Sequence, residues 1–132
     1  MNKRELGTNY EKMACDYLES KEYKIIERNF RTYKGEIDII ASDKEYLVFV
    51  EVKFRAKNSF GYSAEAVGVH KQGIIYRVAE CYLTLHTEYC NKPCRFDVIA
   101  IDNNEINHIV NAFGGLWYIL IIFAFVVLKG NI

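Results

Sequence analysis

Three ionisable residues stand where a buried sheet is expected. The stretches Gly35-Glu36-Ile37-Asp38-Ile39-Ile40 and Val48-Phe49-Val50-Glu51-Val52-Lys53 both read as strands, and both set charged side chains among apolar ones. Burying a carboxylate or an ammonium is costly unless it is paired or bound to a metal. Asp38, Glu51 and Lys53 therefore need a chemical reason for their positions. A divalent cation with a phosphate substrate supplies one, and a pocket of carboxylate oxygens suits Mg²⁺ or Mn²⁺.

Side chains at i and i+2 share a face of a strand. In the later strand Val48, Val50, Val52 and Phe54 form an apolar face. Leu47, Phe49, Glu51, Lys53 and Arg55 form the other, which starts apolar and turns ionic, as a central strand does when its far end opens into a site. In the earlier strand Glu36, Asp38 and Ile40 share one face and Ile37, Ile39 and Ala41 the other. A hairpin with an even loop around Lys44 and Glu45 sets Asp38 opposite Glu51 and Glu36 opposite Lys53. Opposed residues have Cβ atoms about 4.5–5.5 Å apart, where like charges repel. Two carboxylates so placed need a cation or a shared proton. An odd loop would send Asp38 to the wrong face, and no Asn-Gly signal sets the loop length. Plainer readings stand beside this one: Glu36 and Lys53 as a cross-strand ion pair, or Glu51 and Lys53 on an edge strand facing water.

The elements that must position these residues follow from periodicity. Residues 2–20 carry an apolar stripe (Leu6, Tyr10, Met13, Ala14, Tyr17, Leu18) at helical spacing. Strands are expected over 23–31, 36–41 and 46–55, with a turn at 32–35 where Gly35 can take a positive φ. A second helix is expected over 72–86 and a final hairpin over 95–101 and 106–110. The order α-β-β-β-α-β-β predicts an α+β or α/β fold, one central mixed sheet flanked by helices.

The 132 residues suit one compact domain, 51% hydrophobic and 26% charged with zero formal net charge, so the chain is not a polycation. Any nucleic-acid contact must come from a local patch, and Lys24, Arg28, Arg31, Lys34, Lys53, Arg55, Lys57 and Lys71 gather around the informative strands. Residues 1–11 are polar, with no secretory signal, which points to the cytoplasm. Cys15 and Cys81 read as small core residues, whereas Cys90 and Cys94 could join in a disulfide or a metal site. No second Cys or His pair at matching spacing supports zinc. Residues 1–113 form the expected domain and 114–132 an apolar tail. Residues 116–128 carry no charge but fall short of the ~20 apolar residues of a spanning helix. Three readings of this tail compete: a short anchor contacting the membrane, a docked helix, and a non-native extension of the reading frame.

Asp38 followed by Glu51-Val52-Lys53 on the next strand resembles the PD-(D/E)xK nuclease superfamily. The wider series is similar to the YraN-like family of small bacterial proteins, grouped with Holliday-junction-resolvase-like endonucleases. That series comprises Gly7 to Leu18 with Glu11, Arg31-x-x-x-Gly-Glu-Ile-Asp38, Val48-Phe-Val-Glu-Val-Lys53-x-Arg55, Phe60-Gly61, Lys71 and Arg95-Phe-Asp-Val98. The resemblance covers roughly residues 5–113. It implies a restriction-endonuclease-like fold and metal-dependent hydrolysis of DNA phosphodiesters, with branched or flapped DNA in repair or recombination as the substrate class. Asp38 and Glu51 would hold the metal with the Val52 carbonyl, Lys53 would orient the attacking water or neutralise charge, and Glu11 would assist. Arg31, Arg55, Lys57, Lys71 and Gln72 would contact DNA. Dimers suit such relatives, because a four-way junction offers two symmetric strands. The alternative from another class is a catalytically silent nucleic-acid-binding or scaffold protein on the same fold. Where the superfamily name has Pro-Asp, this chain has Ile37-Asp38, and the apolar tail has no counterpart in the family pattern.

Overall fold

The structure, a computed structural model, describes residues 2–54 and 67–115. Five strands form one sheet in chain order: β1 (Lys24–Thr32), β2 (Gly35–Asp43), β3 (Tyr46–Phe54), β4 (Cys94–Asp102) and β5 (Glu105–Phe113). β3 and β4 are parallel and every other neighbouring pair is antiparallel, so the sheet is mixed. Helix α1 (Lys3–Ser20) covers one face and helix α2 (Val69–Leu85) the other. The expected fold class is the observed one.

Each layer follows from the apolar pattern. Ala14, Cys15 and Leu18 of α1 pack on Ile39, Ala41, Val48, Val50, Ile99 and Ile101. Ile75, Val78, Ala79, Tyr82 and Leu83 of α2 pack on the opposite face, against Leu47, Phe49 and Phe96 among others. β4 is buried along all but its last residue, as a strand covered on both faces must be. Helix α1 opens on a capping box: Asn2 Oδ1 accepts from the Glu5 amide at 2.9 Å and the Asn2 amide donates back to Glu5. Asn103 and Asn104, both at positive φ, make the two-residue turn between β4 and β5.

Three departures from the sequence reading bear on the site. Helix α2 starts at Val69 rather than near 72, with Gly68 as an extended N-cap. β5 runs on to Phe113 through a bulge, marked by a register shift opposite Phe96–Val98 and a positive φ at Asn111. The alternation of β2 also breaks: Ile37 lies in the α2-side core with Ile40, away from Ile39 and Ala41. The break sits at Asp38, opposite Asn29 of β1, whose φ is 55°. A left-handed residue there turns the strand pair over, so Phe30 and Ile37 face α2.

This irregularity opens the sheet. The β2–β3 loop is the two-residue Lys44–Glu45 turn, and the register runs from Asp43 opposite Tyr46 to Ile39 opposite Val50, where the ladder stops. β2 continues paired with β1 alone as far as Gly35 opposite Thr32, and β3 continues beside β4 as far as Phe54 opposite Ile101. The tip of the β1–β2 hairpin is therefore a two-stranded finger split from β3. Gly35 seats that finger on α2. Its φ of +153° disfavours a side chain, and an added Cβ would collide with Ile74 Cγ2.

Candidate metal and phosphate site

Asp38 and Glu51 are the next positions in register beyond the last β2–β3 pair, at the root of the split. Asp38 is only 9% exposed. Its Oδ2 accepts the Val52 amide at 2.8 Å, so the carboxylate takes a β3 backbone hydrogen bond where the ladder has stopped. The Asp38 and Glu51 carboxyls also act directly on each other, and the repulsion between two carboxylates so placed is relieved by a proton held between them. Burial, and next the Asp38 charge, push the Glu51 carboxyl up to about 8, while Lys71 and Lys53 pull the other way. Burial likewise raises Asp38, against the hydrogen bonds it accepts.

Cations surround this pair. Lys71, on the first turn of α2, holds Nζ 3.9 Å from Glu51 Oε2. Lys53 lies two residues along the same strand, and its charge acts on Glu51. Glu51, Lys53, Val67, Gly68 and Lys71 line an open cleft of about 320 Å³. Glu11 of α1 approaches from the other layer. Burial raises its carboxyl, Asn29 donates to it, and the Asp38 and Glu36 charges push it further up.

Other expected site residues have different partners or positions. The β2–β3 ladder ends before Glu36, which instead lies opposite Arg31 of β1 and accepts from Arg31 Nε at 2.6 Å. Arg31 is thus half-committed to an ion pair, on an exposed side chain. Gln72 is a helix-start clamp: its amide nitrogen donates to the Val67 carbonyl at 2.7 Å and its oxygen accepts from Tyr76. That clamp holds the start of α2, and so Lys71, against the cleft. Arg55, Lys57, the Phe60-Gly61 pair and the tail over 116–128 lie outside the described residues. All four cysteines are free thiols, including Cys90 and Cys94, and burial pushes the Cys94 thiol up to about 12. Among the described residues no helix is long and apolar enough to cross a membrane.

Among the described residues no three His, Cys, Asp or Glu side chains cluster to hold a metal by themselves. Asp38 and Glu51 nevertheless fit a hard divalent cation of the Mg²⁺ type, which takes one or two carboxylates and completes its shell with water and phosphate oxygens. Their mutual repulsion, relieved here by one proton, is what such a cation would relieve instead.

A second polar cluster, on the α1 face, went unread as a site. Asp97 is fully buried on β4 and accepts from Arg95 Nε at 2.9 Å, from Arg95 Nη2 at 3.0 Å and from the Asn111 amide at 2.9 Å. His108 Nε2 lies 2.7 Å from Asp97 Oδ2, and its Nδ1 lies 3.2 Å from the Tyr17 hydroxyl. Arg95 also donates to Asp43 and to the Tyr23 hydroxyl, with its guanidinium over the Tyr23 and Tyr46 rings. Burial would raise the Asp97 carboxyl, but the hydrogen bonds from His108, Arg95 and Asn111 outweigh it and hold it below its ordinary value. The available signal was Arg95 and Asp97 on one face of an otherwise apolar strand, the same rule that singled out Glu51 and Lys53.

Comparison with known proteins gives the lineage. Residues 10–101 match the model of the uncharacterised protein family UPF0102. A UPF0102 protein of Thermodesulfovibrio yellowstonii is 49% identical over 114 residues, covering 86% of this chain and 99% of its own length. A UPF0102 protein of Francisella tularensis subsp. novicida is 44% identical over 111 residues, covering 83% and 95%. One of Caldanaerobacter subterraneus subsp. tengcongensis is 43% identical over 120 residues, covering 86% and 98%. With the matched segment running from within α1 to β4 and including both Asp38 and Glu51, this chain belongs to the UPF0102 family.

Proposed function

We propose that the protein is a divalent-metal-dependent nuclease that hydrolyses DNA phosphodiester bonds at the Asp38–Glu51 cleft. The observation that carries this reading is the close carboxyl pair at the open end of the sheet, Asp38 buried and Glu51 half-buried, flanked by Lys53 and Lys71. An ion-pair network built for stability alone would oppose each carboxylate with a cation rather than with another carboxylate. The resemblance to PD-(D/E)xK nucleases points the same way.

Asp38 and Glu51 would hold Mg²⁺ or Mn²⁺, with the Val52 carbonyl as a further oxygen donor. When bound, the cation lowers the pKa of water and offsets charge on the phosphate. The chain's own groups do the rest. The Val52 amide fixes the Asp38 carboxylate. Lys53 is placed to orient the attacking water or to stabilise the charge that develops on phosphate. Lys71, released from Glu51 once both carboxylates face a cation, is free to take a phosphate oxygen. Glu11, its carboxyl pushed up by burial and by its acidic neighbours, supports the pair from α1.

The test is cleavage of labelled flapped, branched, single-stranded and duplex DNA by the full chain, with Mg²⁺ or Mn²⁺ and with chelator. Cuts are expected only with metal, and Asp38→Asn should lose them. Equal cutting by that variant, or none by the folded wild type on any substrate, would overturn the reading.

A further inference from the structure

We propose that Tyr33, at the tip of the β1–β2 finger, is a stacking platform for an unpaired nucleobase and directs the cleft to DNA whose bases are exposed. The proposal rests on the DNA-cleaving reading above and names the feature of the substrate that would be recognised.

Tyr33 is 94% exposed, the most solvent-accessible large apolar side chain among the described residues. So open a ring contributes almost nothing to folding. Nor is it a usual turn residue: tight turns favour Gly, Asn, Asp, Ser and Pro. The backbone that carries the ring is nevertheless held firmly. Thr32 pairs with Gly35 across the turn, the Lys34 amide donates to Thr32 Oγ1 at 3.0 Å, and Gly35 lies against Ile74 of α2. An aromatic ring on a rigid tip loses little entropy when it binds.

Its charge environment suits nucleic acid. Lys34 Nζ lies 5.5 Å from the centre of the Tyr33 ring, and Arg31, exposed but ion-paired with Glu36, precedes it by two residues. An aromatic face beside cations is the recurring means of holding single-stranded nucleic acid, where bases stack and phosphates meet basic groups. The tip also forms one bank of the split that holds Asp38. Three strand residues separate Asp38 from Gly35, about 10 Å at ~3.3 Å per residue. With ~3.4 Å per nucleotide step in a stacked strand and roughly twice that in an unstacked one, the ring stands about two to four nucleotides from the phosphate being cut. In continuous duplex the bases at that distance are stacked on each other and offer no face. At a flap, an end or a junction they do.

The experiment uses the full chain carrying Glu51→Gln, to prevent cutting, and fluorescein-labelled flap and duplex DNA in Mg²⁺. The ratio of flap to duplex affinity is expected to fall about tenfold on adding Tyr33→Ala, a typical loss for one base stack. Tyr33→Trp should restore it. As a positional readout, 2-aminopurine placed about two to four nucleotides from the cut should be quenched by the Tyr33 protein and not by the Ala variant. An unchanged ratio, or an unquenched probe, would overturn the stacking role while leaving the nuclease reading intact. Failure to bind any of these DNAs, with Tyr33 present, would overturn both.

Discussion

Glu51→Gln is expected to abolish metal-dependent cleavage and, in the metal-free protein, to remove a pH dependence of stability. The rate should fall by about 10³-fold, the loss of ~4 kcal/mol of transition-state stabilisation that a metal-bound carboxylate can support. The stability effect follows from the proton shared with Asp38. The Glu51 carboxyl is raised from an ordinary 4.5 to about 8 in the folded protein. Between those values the folded state holds a proton that the unfolded state has released. Stability therefore falls as pH rises through that window, by no more than about 5 kcal/mol in total. A Gln amide can donate to Asp38 in place of the proton and does not titrate. Melting temperatures from pH 5 to pH 9 in chelator should thus decline for the wild type and stay nearly level for the variant. Parallel profiles would rule out the shared proton, and undiminished cleavage would rule out Glu51 as a metal ligand.

The second large effect is expected at Asp97. Asp97→Ala leaves the buried Arg95 guanidinium with Asp43 as its one carboxylate partner among the described residues, and it removes an acceptor from His108 and from the Asn111 amide. Removing one partner of a buried pair costs about 3–5 kcal/mol. For a domain of this size the melting temperature should drop on the order of 10–20 °C. The pH sign is opposite to that of Glu51. A carboxyl held below its ordinary value stabilises the fold above that value, and the contribution is lost as pH falls through the lowered one. The acid limb of the stability profile, below about pH 4, should therefore be shallower in the variant. A melting temperature within a degree or two of the wild type would mean that the cluster is not what ties β4 to β5 and α1.

The sheet, its two covering helices and the charged end of β3 were legible in the sequence because each rests on simple periodicity. The even Lys44–Glu45 loop was one of two options, and only the coordinates distinguish them. What escaped the reading has a common physical cause: left-handed residues inside strands. Asn29 and Asn111 each break the two-residue alternation, and neither is a glycine that would announce it. The first turns Ile37 toward α2 and leaves Asp38 at the split. The second lets β5 run three residues further than its apolar pattern and aims a backbone amide at Asp97. The sequence gives no sign that the Gln72 side chain bonds the Val67 carbonyl and Tyr76 at the start of α2. The basic residues were placed near the acidic pair by sequence order alone, and for Lys71 that order corresponds to a 3.9 Å approach.

The register of the sheet also bears on the order in which the protein assembles. β1–β2, β2–β3 and β4–β5 are hairpins joined by two-residue turns, whereas β3 and β4 meet only across a long connection, with Leu47 beside Cys94. Closing that seam costs more chain entropy than closing any hairpin. The acidic pair, 13 positions apart, belongs to the local part, so its two carboxyls are brought together before the sheet is complete and before α2 can deliver Lys71. Pulse-labelled hydrogen exchange during refolding would then show the Val48 and Val50 amides protected no later than those of β4, and the reverse order would count against this sequence of events. On this order the acidic pair is placed by the local hairpins, and the long-range seam closes around it.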